Sequence, residues 1–593
     1  MRTLIAALAA LTLCAAHANA ATCYQTLKQA DFPNCQVLDP RYALHWNVHG
    51  DQITYGVTVD VDVAANWVGF GVSDNGGMRG ADITVLTADT SGKVVAQDYW
   101  AENYGAPTLD THQDVTLDAS QSTHTASQTT AVFTRPLNSC DAQDQPILAN
   151  TTHSVIWAIG SSPTLSFHND NRGDSKITFI PDPSLKAVVD PPDLTLLPMF
   201  FQNYSVPSNQ STTYTCAHKA FAPPAPPAGG NGTKFHITRF EGVALSKHVH
   251  HMIVYGCNQP PKTFNQSYDC LSMDVSCTDV LLVWAPGVGA VDLPPEAGFA
   301  IGSAADAYQY FSLQIHYTNQ ELEAITDSSG FNIWYTARLR QYDMGVIFLG
   351  TEDITIPPNT ASVTLPSGYC PADCTKKLPH PIIIQNNFFH AHTLGRNLTT
   401  QHIRDGVELQ PLGTRAYYDF NHQGASRPFG GPREVRPGDA LLTTCSYSSL
   451  GRDNVTKWSE ETSGEMCYNI VQYYPRVSMN WCTSTDYGLV SCNNNAEFQA
   501  EVTKLVGQNL TDQALAETLV KDGFLSASKL SDLKYTPYKD QCASGLLAQP
   551  GAQPGTQPGA AAAANGGRHA VARASSGAAA AFVLAGGILS YAL

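Results

Sequence analysis

The length, charge and composition of this 593-residue chain narrow the choice of fold and function. Ordinary domains contain about 100–200 residues, so several domains are expected. The net charge is −17, which argues against a nucleic-acid-binding protein because such surfaces need clustered Lys and Arg. Short runs rich in Val, Thr and Tyr, separated by Gly and Pro, predict an all-β protein built from sandwiches.

Residues 1–20 have the pattern of a secretory signal peptide. Met1-Arg2 precedes an apolar run from Leu4 to Ala16, and cleavage is expected after Ala20. Removal of Cys14 with the signal leaves an even number of cysteines, which suits disulfide formation in an oxidising compartment. The mature protein is therefore expected outside the cell or at its surface. Glycosylation sequons agree with this and occur at Asn150, Asn203, Asn209, Asn231, Asn265, Asn397, Asn454 and Asn509.

Residues 40–160 are predicted to form a β-sandwich, because alternating runs are separated by regularly spaced turn residues. Asp82 and Asp114 are interpreted as turn-forming or capping residues, with ligand binding as the alternative. The region resembles a DOMON domain. The resemblance rests on Trp67-Val68-Gly69-Phe70-Gly71-Val72-Ser73-Asp74, Gly80-Ala81-Asp82, Asp110-Thr111-His112-Gln113-Asp114 and Phe133-Thr134-Arg135-Pro136.

A second β-rich region, residues 195–325, follows a Pro-rich linker and contains the run His248-Val249-His250-His251. In a flat strand His250 and His251 would point to opposite faces, so joint binding of a metal ion requires a β-bulge or a strand end. The short alternating strand Leu313 to Tyr317 would bring His316 across the sheet. The alternative is that these are surface or paired core histidines.

The third region, residues 330–495, begins with the alternating run after Gly330 and contains a His-x-His motif. Residues two apart on a strand share a face, so His390 and His392 would present both imidazoles to one metal ion. The motif alone is weak evidence, because histidine is also an ordinary core or surface residue. Met466, taken alone, would be interpreted as a core residue.

Residues 496–545 are predicted to be a helical appendage. Ala496–Leu510 and Thr511–Lys521 have helical spacing, Thr511 is a candidate N-cap, and Gly523 is expected to end the second helix.

The chain ends with a Pro- and Gly-rich tether, residues 549–567, and an apolar tail preceded by a polar spacer, residues 568–593. Small residues beginning at Asn565, followed by that spacer and tail, predict a GPI-anchor signal. A transmembrane helix is the alternative. It is disfavoured because the apolar run from Ala578 to Leu593 is shorter than the roughly 20 residues that a span needs.

The candidate ligands form two sets of different chemistry. The first set comprises His250, His251 and His316, and the second comprises His390, His392 and Met466. A thioether is a soft ligand that favours Cu(I), and imidazole accepts both copper oxidation states. Zinc would more often recruit cysteine or a carboxylate. Copper is therefore the expected metal, with O2 binding at the second set and electron transfer at the first.

The order of these motifs resembles the copper type II ascorbate-dependent monooxygenases, which include dopamine β-hydroxylase, monooxygenase-X and the peptidylglycine α-hydroxylating enzymes. The motifs are His250-His251-Met252, Gln314-Ile315-His316-Tyr317, His390-Ala391-His392 and Glu465-Met466-Cys467.

That resemblance implies two jelly-roll-like β-sandwiches, two coppers reduced by ascorbate, and hydroxylation of a C–H bond of a small arylalkylamine-like substrate. It also implies that electrons cross a gap between the two sandwiches. Peptide α-hydroxylation is the alternative within enzymes, and a copper-binding surface protein without turnover is the alternative outside them. Gly464 stands where the dopamine-hydroxylating enzymes have a second glutamate, which argues against assuming a catecholamine substrate.

The resemblance also implies catalytic roles for His390 and Tyr214. From the residues alone, Tyr214 is interpreted as a buried hydroxyl with a structural partner. Cys23 and Cys35 remain for a local pair. The disulfides that the resemblance implies are Cys140–Cys542, Cys216–Cys270, Cys257–Cys277, Cys370–Cys482, Cys374–Cys492 and Cys445–Cys467.

Overall fold

The computed structural model describes residues 23–181, 193–221, 233–257, 259–261, 267–270, 276–277, 279–286, 288–485, 488–508, 510–539 and 542. The expected signal peptide, tether, Asn565 and apolar tail lie outside the described residues. Strands dominate the described chain and helices are few, which confirms the all-β prediction. Within these ranges no helix combines the length and the apolar content that crossing a membrane requires.

Residues 23–72, Asp82–Asp144 and Val155–Ser175 form the first compact unit. Its strands are β1 (Asn34–Asp39), β2 (Tyr42–His49), β3 (Gln52–Val59), β4 (Val68–Ser73), β5 (Ala81–Ala88), β6 (Val94–Ala101), β7 (Thr108–Leu109), β8 (Thr116–Leu117), β9 (Thr123–His124), β10 (Thr129–Pro136), β11 (His153–Ile159) and β12 (Arg172–Ile177). One sheet has the order β1-β2-β3-β10-β8, with β9 beside β10, and the other has the order β12-β11-β4-β5-β6-β7.

The two sheets of this unit pack as the predicted sandwich through aromatic side chains that point inward. The ring of Tyr55 on β3 lies 5.0 Å from Phe70 on β4 of the other sheet and 5.6 Å from Phe133 on its neighbour β10. All three side chains are buried. Such aromatic contacts add to the free energy gained by burying apolar surface.

Asp82 has a different role from the turn-forming one expected. It lies in β5, is buried, and accepts a hydrogen bond from the Arg135 guanidinium. Asp144 Oδ2 lies 3.5 Å from Nη2 of the same guanidinium. The turn interpretation is wrong for Asp82 because the residue lies within a strand. Its carboxylate can be buried there because Arg135 pairs with its charge. Asp114 is half-buried, and burial together with repulsion from Asp144 raises its pKa to about 6.

The second compact unit contains Ser73–Ala81, Gln145–Ser154 and the chain from Lys176 onward, and it begins with a sandwich. The strands of this first sandwich are β13 (Thr195–Phe200), β14 (Tyr204–Val206), β15 (Thr212–Ala220), β16 (Lys234–Val243), β17 (Val249–Cys257), β18 (Tyr268–Asp269), β19 (Asp279–Trp284), β20 (Val291–Asp292), β21 (Ala297–Gly302), β22 (Tyr310–Thr318), β23 (Ile325–Asp327), β24 (Gly330–Thr336) and β25 (Tyr342–Asp343). Its sheets have the orders β13-β24-β16-β21-β25, with β20 beside β16, and β18-β15-β22-β17-β19, while β14 pairs with β23.

Strand β24 corrects the expected domain boundary at residues 325–330. It pairs with β13 and β16, with Ile333 opposite Leu197 on one side and Phe240 on the other. The strand that follows Gly330 therefore completes the first sandwich and does not begin the second. Alternation identified the strand correctly, but a period of two does not specify which sheet a strand joins.

The second sandwich of this unit carries the His-x-His motif. Its elements are β26 (Gly345–Thr351), β27 (Thr355–Ile356), β28 (Val363–Thr364), β29 (Gly368–Cys370), α1 (Ala372–Thr375), β30 (Ile382–His390), β31 (Gly395–Arg404), β32 (Val407–Arg415), β33 (Arg433–Val435), β34 (Ala440–Tyr447), β35 (Thr456–Lys457), β36 (Cys467–Tyr474), β37 (Trp481–Ser484), β38 (Val490–Asn493), α2 (Asn495–Val506), α3 (Asp512–Lys521), β39 (Leu525–Ser526) and a short 3-10 helix, Leu530–Asp532. The sheets have the orders β33-β30-β36-β26-β37-β38-β39 and β28-β34-β31-β32, with β29 beside β34, while β27 pairs with β35.

The predicted helical appendage is confirmed as α2 and α3. The Thr511 hydroxyl accepts a hydrogen bond from Ala514 N, so Thr511 caps α3 as expected. Gly523 has a φ of +82° just after α3, the conformation in which glycine commonly ends a helix. Helix α2 ends at Val506, earlier than expected, because Gly507 interrupts it with poor helix propensity.

Disulfides hold the described strands together at several points. Cys445–Cys467 ties the end of β34 to the first residue of β36, directly after Met466. Five of the observed pairs coincide with pairs that the resemblance implies, and Cys23 joins Cys35 locally. The pairing of Cys140 with Cys542 stays a prediction. The observed pairs are Cys23–Cys35, Cys216–Cys270, Cys257–Cys277, Cys370–Cys482, Cys374–Cys492 and Cys445–Cys467.

Candidate metal centre

A β-bulge brings the adjacent His250 and His251 to the same side of β17. The register with β22 pairs Val249 with Tyr317 and His251 with His316, which leaves His250 as the extra residue. The two Nδ1 atoms of His250 and His251 lie 3.1 Å apart. The irregularity that the sequence required for joint ligation is therefore present.

His316 on β22 completes the first set. Its ring centroid lies 4.9 Å from both His250 and His251, and one ligand nitrogen of each ring lies within 4.8 Å of the others. The Thr212 hydroxyl is 2.7 Å from His316 Nε2. That bond leaves Nδ1 for a metal, and Nδ1 is buried without a hydrogen-bond partner. A buried orphan nitrogen is costly, so these residues fit a metal ion well.

Burial keeps the first set neutral. It lowers the pKa of His250 to about 4, with repulsion from His390 as the second cause. It also holds the pKa values of His251 and His316 well below their usual value, with neighbouring imidazoles adding to the effect. Neutral imidazole is the form that binds metal ions, so the folded protein presents ready ligands.

Tyr214 contacts the first set through its ring. It pairs with His316 across β15 and β22, and the two rings stack at 4.1 Å with an interplanar angle of 8°. Its hydroxyl lies 3.2 Å from Thr462 Oγ1. His248, by contrast, stands outside the set, because its ring nitrogens contact the Thr318 carbonyl and Glu323.

The second set is built at the end of a strand. Strand β30 ends at His390, so the expectation that both histidines share one strand is wrong for His392. Their ring centroids nevertheless lie 5.3 Å apart. His390 Nδ1 donates to Gln423 Oε1 at 2.8 Å and His392 Nδ1 donates to the Gly464 carbonyl at 3.1 Å, which leaves each Nε2 for a metal. Burial lowers both pKa values, that of His392 to about 3.

Met466 lies beside His392 just outside the sheet. The ladder between β30 and β36 pairs His390 with Tyr468, and continuing that register by two residues brings Met466 opposite His392. The side chain of Met466 is half-buried and packs against the apolar core. Its carbonyl accepts a hydrogen bond from the Tyr447 hydroxyl at 2.8 Å.

Glu465 connects these residues and was not recognised as functional from the sequence. Its carboxylate is fully buried and accepts hydrogen bonds from the backbone N–H groups of His392 at 2.7 Å, Leu394 at 2.6 Å and Met466 at 3.2 Å. Burial raises its pKa to about 7, while these N–H groups oppose the rise.

A loop after β32 joins the two sets. The Phe420 ring stacks on His250 at 4.2 Å and lies 6.3 Å from His392, while Gln423 binds His390. The rings of His251 and His390 are 6.4 Å apart. The structure thus places the two sets side by side and contradicts the expected gap between them. No sequence pattern marked Phe420 or Gln423.

Gly464 is required by the turn before Met466. A Cβ atom at this position would collide with Ser459 Cβ and approach the Lys457 carbonyl oxygen to 2.9 Å. A glutamate therefore does not fit here in the present backbone, and the departure from the Glu-Glu-Met pattern is built into the turn.

Aromatic and acidic side chains lie next to the second set. Tyr468 pairs with His390, so both side chains point to the same face. The Tyr468 hydroxyl accepts from Trp458 Nε1 at 3.1 Å and donates to Glu352 at 3.3 Å. Burial and the carboxylates of Glu352 and Glu460 raise the pKa of Tyr468 well above its usual value.

Comparison with known families and proteins agrees with this geometry. Residues 38–160 match the DOMON domain, residues 197–324 match the N-terminal domain of copper type II ascorbate-dependent monooxygenases, and residues 342–493 match the C-terminal domain. The chain is 31% identical to DBH-like monooxygenase protein 1 of Gallus gallus, covering 76% of this chain and 75% of that protein. It is also 31% identical to dopamine beta-hydroxylase of Homo sapiens, covering 77% and 75%.

Proposed function

This chain belongs to the copper type II ascorbate-dependent monooxygenase family, and we propose that each of its two ligand sets holds one copper ion. It is a monooxygenase that depends on copper and ascorbate. The first ion would be held by His250, His251 and His316, and the second by His390, His392 and Met466. Copper in these sets would supply one-electron redox chemistry and O2 activation, with ascorbate as the electron donor.

The observation that carries this assignment is the orientation of the ring nitrogens. In His316, His390 and His392 one nitrogen is bonded to a neutral group, and the other is left for a metal. Such outer partners fix the tautomer and the ring orientation of a ligating histidine. The set with a thioether suits the ion that must be stable as Cu(I).

The protein's own contribution is positioning and exclusion of water. Four of the five rings are buried, and Phe420 covers His250. A dry site strengthens electrostatic interactions and suppresses side reactions of reactive species. His390 and Met466 are half-buried, whereas His392 is buried, and we propose that a substrate approaches the second set from the side of these two residues.

The substrate class that we propose is a small arylalkylamine-like molecule. One support is that relatives are named dopamine beta-hydroxylase. Another is the chemistry near His390, where the half-buried Trp458 ring offers an aromatic contact and the carboxylates of Glu352 and Glu460 would attract a protonated amine. Because Gly464 replaces a glutamate, the proposal does not extend to catecholamines in particular.

Measured turnover separates this proposal from its alternatives. The copper-loaded protein with ascorbate should consume O2 when phenethylamine, tyramine or dopamine is added, and mass spectrometry should find a product heavier by one oxygen atom. Product from a glycine-extended peptide alone would favour peptide α-hydroxylation. Copper binding without O2 uptake on any substrate would instead favour a non-catalytic surface protein.

The chain is a secretory-pathway protein, as its disulfides and its relatives indicate. We further propose glycosylation, supported by the exposure of Asn203, Asn209 and Asn454 in their sequons, and anchoring through a GPI lipid attached at Asn565. Phosphatidylinositol-specific phospholipase C should then release the protein from cells. Retention, with the apolar tail still detectable by peptide mapping, would favour a transmembrane anchor.

A further inference from the structure

We propose that Glu465 is a positioning residue that fixes both His392 and Met466 in the second ligand set. This inference rests on the proposed function, because it assumes that these two residues bind copper.

The ladder between β30 and β36 stops short of both proposed ligands. Strand β30 ends at His390 and β36 begins at Cys467, so the backbone N–H groups of His392 and Met466 lie outside the sheet ladder. Buried backbone donors without partners are costly. The Glu465 carboxylate accepts from both of them and from Leu394 N, and thereby replaces the ladder beyond its last pair.

Two consecutive residues, Gly464 and Glu465, hold His392 at different atoms. The Gly464 carbonyl binds Nδ1 of the ring, and the Glu465 carboxylate binds the backbone N–H. The next residue in the chain is Met466 itself. The segment of residues 464–466 therefore sets the position and the ring orientation of one proposed ligand and supplies the other.

The acceptor at this position is a carboxylate, and its chemistry suits the three donors. A buried carboxylate costs several kcal/mol in desolvation, and its retention calls for a compensating role. Its two oxygens accept three N–H groups in one place. A glutamine offers only one acceptor oxygen, and its amide would meet a backbone N–H donor to donor.

The first set has no corresponding carboxylate among its described hydrogen bonds, since its histidines are held by the ladder of β17, β22 and β15. Loss of Glu465 should therefore affect one set only. Mutations of residues that orient metal ligands typically cost about 10–100-fold in metal affinity. We expect the Glu465→Gln variant to lose this much affinity for Cu(I) at the second set.

The experiment is a Cu(I) competition titration of the full chain, combined with X-ray absorption of the reduced protein. Wild type should bind two copper ions and show a copper–sulfur contribution. Glu465→Gln should retain one tight copper, bind the other about 10–100-fold more weakly, and lose the sulfur contribution at one equivalent of copper. Glu461→Gln, which removes an exposed carboxylate four residues earlier, is the matched control and should behave like wild type.

A purely structural role predicts a lower melting temperature with both affinities unchanged, and that result overturns the inference. If Glu465→Gln does not fold, Glu465→Asp keeps the charge but withdraws the oxygens by about one bond length. It should weaken the second copper alone, and normal binding by it overturns the inference. A wild-type protein that binds no copper, or shows no sulfur contribution, overturns the proposed function and this inference with it.

Discussion

The two ligand sets are constructed in different ways. In the first set, His251 and His316 are ladder partners and His250 is the extra residue of a bulge, so the sheet fixes the backbone of all three ligands. In the second set, His390 ends a strand, while His392 and Met466 lie beyond the strand ends. Side chains and a loop hold them there.

This difference shows what each site depends on. A site on paired strands inherits its geometry from backbone hydrogen bonds, which substitutions of single side chains do not remove. A site at strand ends depends on the few groups that replace those hydrogen bonds, here Glu465, Gln423 and the Gly464 carbonyl. We therefore expect the first set to tolerate changes in its surroundings and the second set to be sensitive to them.

The largest effect is expected from removing a ligand of the sheet-based set. His316→Ala should abolish copper binding at the first set and reduce hydroxylation by orders of magnitude, while the second set keeps its ion because none of its ligands changes. Copper per chain and product formation are measured together. Retention of two copper ions would mean that His316 is not a ligand.

A smaller effect is expected from Gln423→Leu, which removes the acceptor of His390 Nδ1 without touching a ligand. Free rotation of that ring should weaken copper at the second set by about 10–100-fold. Asn421→Ala, in the same loop with an exposed side chain, is the control. Equal weakening of both sets would contradict the separate construction described above.

Acid should remove copper only well below the usual pKa of histidine. Burial lowers the pKa of His250 to about 4 and that of His392 to about 3, so both rings stay neutral as the pH falls through 6.5. The unfolded chain takes up protons on these histidines in that range and the folded chain does not, so their contribution to the stability of the metal-free protein is fully present above about pH 6.5 and is lost as the pH falls towards 4 and below. The copper retained after dialysis at each pH tests the predicted resistance of the metal sites to acid. Loss of half the copper above pH 6 would contradict that prediction.

The smallest effect is expected from Tyr214→Phe. The phenylalanine ring still stacks on His316, and only the contact with Thr462 is lost. One neutral hydrogen bond contributes about 0.5–1.5 kcal/mol, so turnover should fall by at most about tenfold. Tyr214→Leu should cost more because it removes the stacking. Abolished turnover in Tyr214→Phe with normal copper would instead assign the hydroxyl to catalysis, as the family resemblance implies.

The sequence correctly predicted features that depend on residues close together in the chain. The adjacency of His250 and His251 required a bulge, and the bulge is there because both residues cannot otherwise face one side. Thr511 caps a helix for an equally local reason.

Long-range packing was not readable from the sequence. Alternation could not show that β24 pairs with β13 and β16, or that β30 stops at His390. Phe420 and Gln423 belong to no sequence pattern, and Glu465 belongs to a motif that did not reveal its role, because these roles come from distant segments that meet only in the folded chain. The 6.4 Å distance between the rings of His251 and His390 also results from contacts between distant segments.

The most direct test of the account is X-ray absorption of the reduced, copper-loaded protein in wild type and in Met466→Ile. The substitution keeps a similar apolar volume, so a merely structural methionine would cost less than about 1.5 kcal/mol and leave turnover largely intact. We predict that wild type shows a copper–sulfur contribution, and that Met466→Ile is folded, lacks this contribution, keeps the copper of the three histidines and loses hydroxylation by orders of magnitude. An active Met466→Ile enzyme, or an unchanged sulfur signal, would contradict the account.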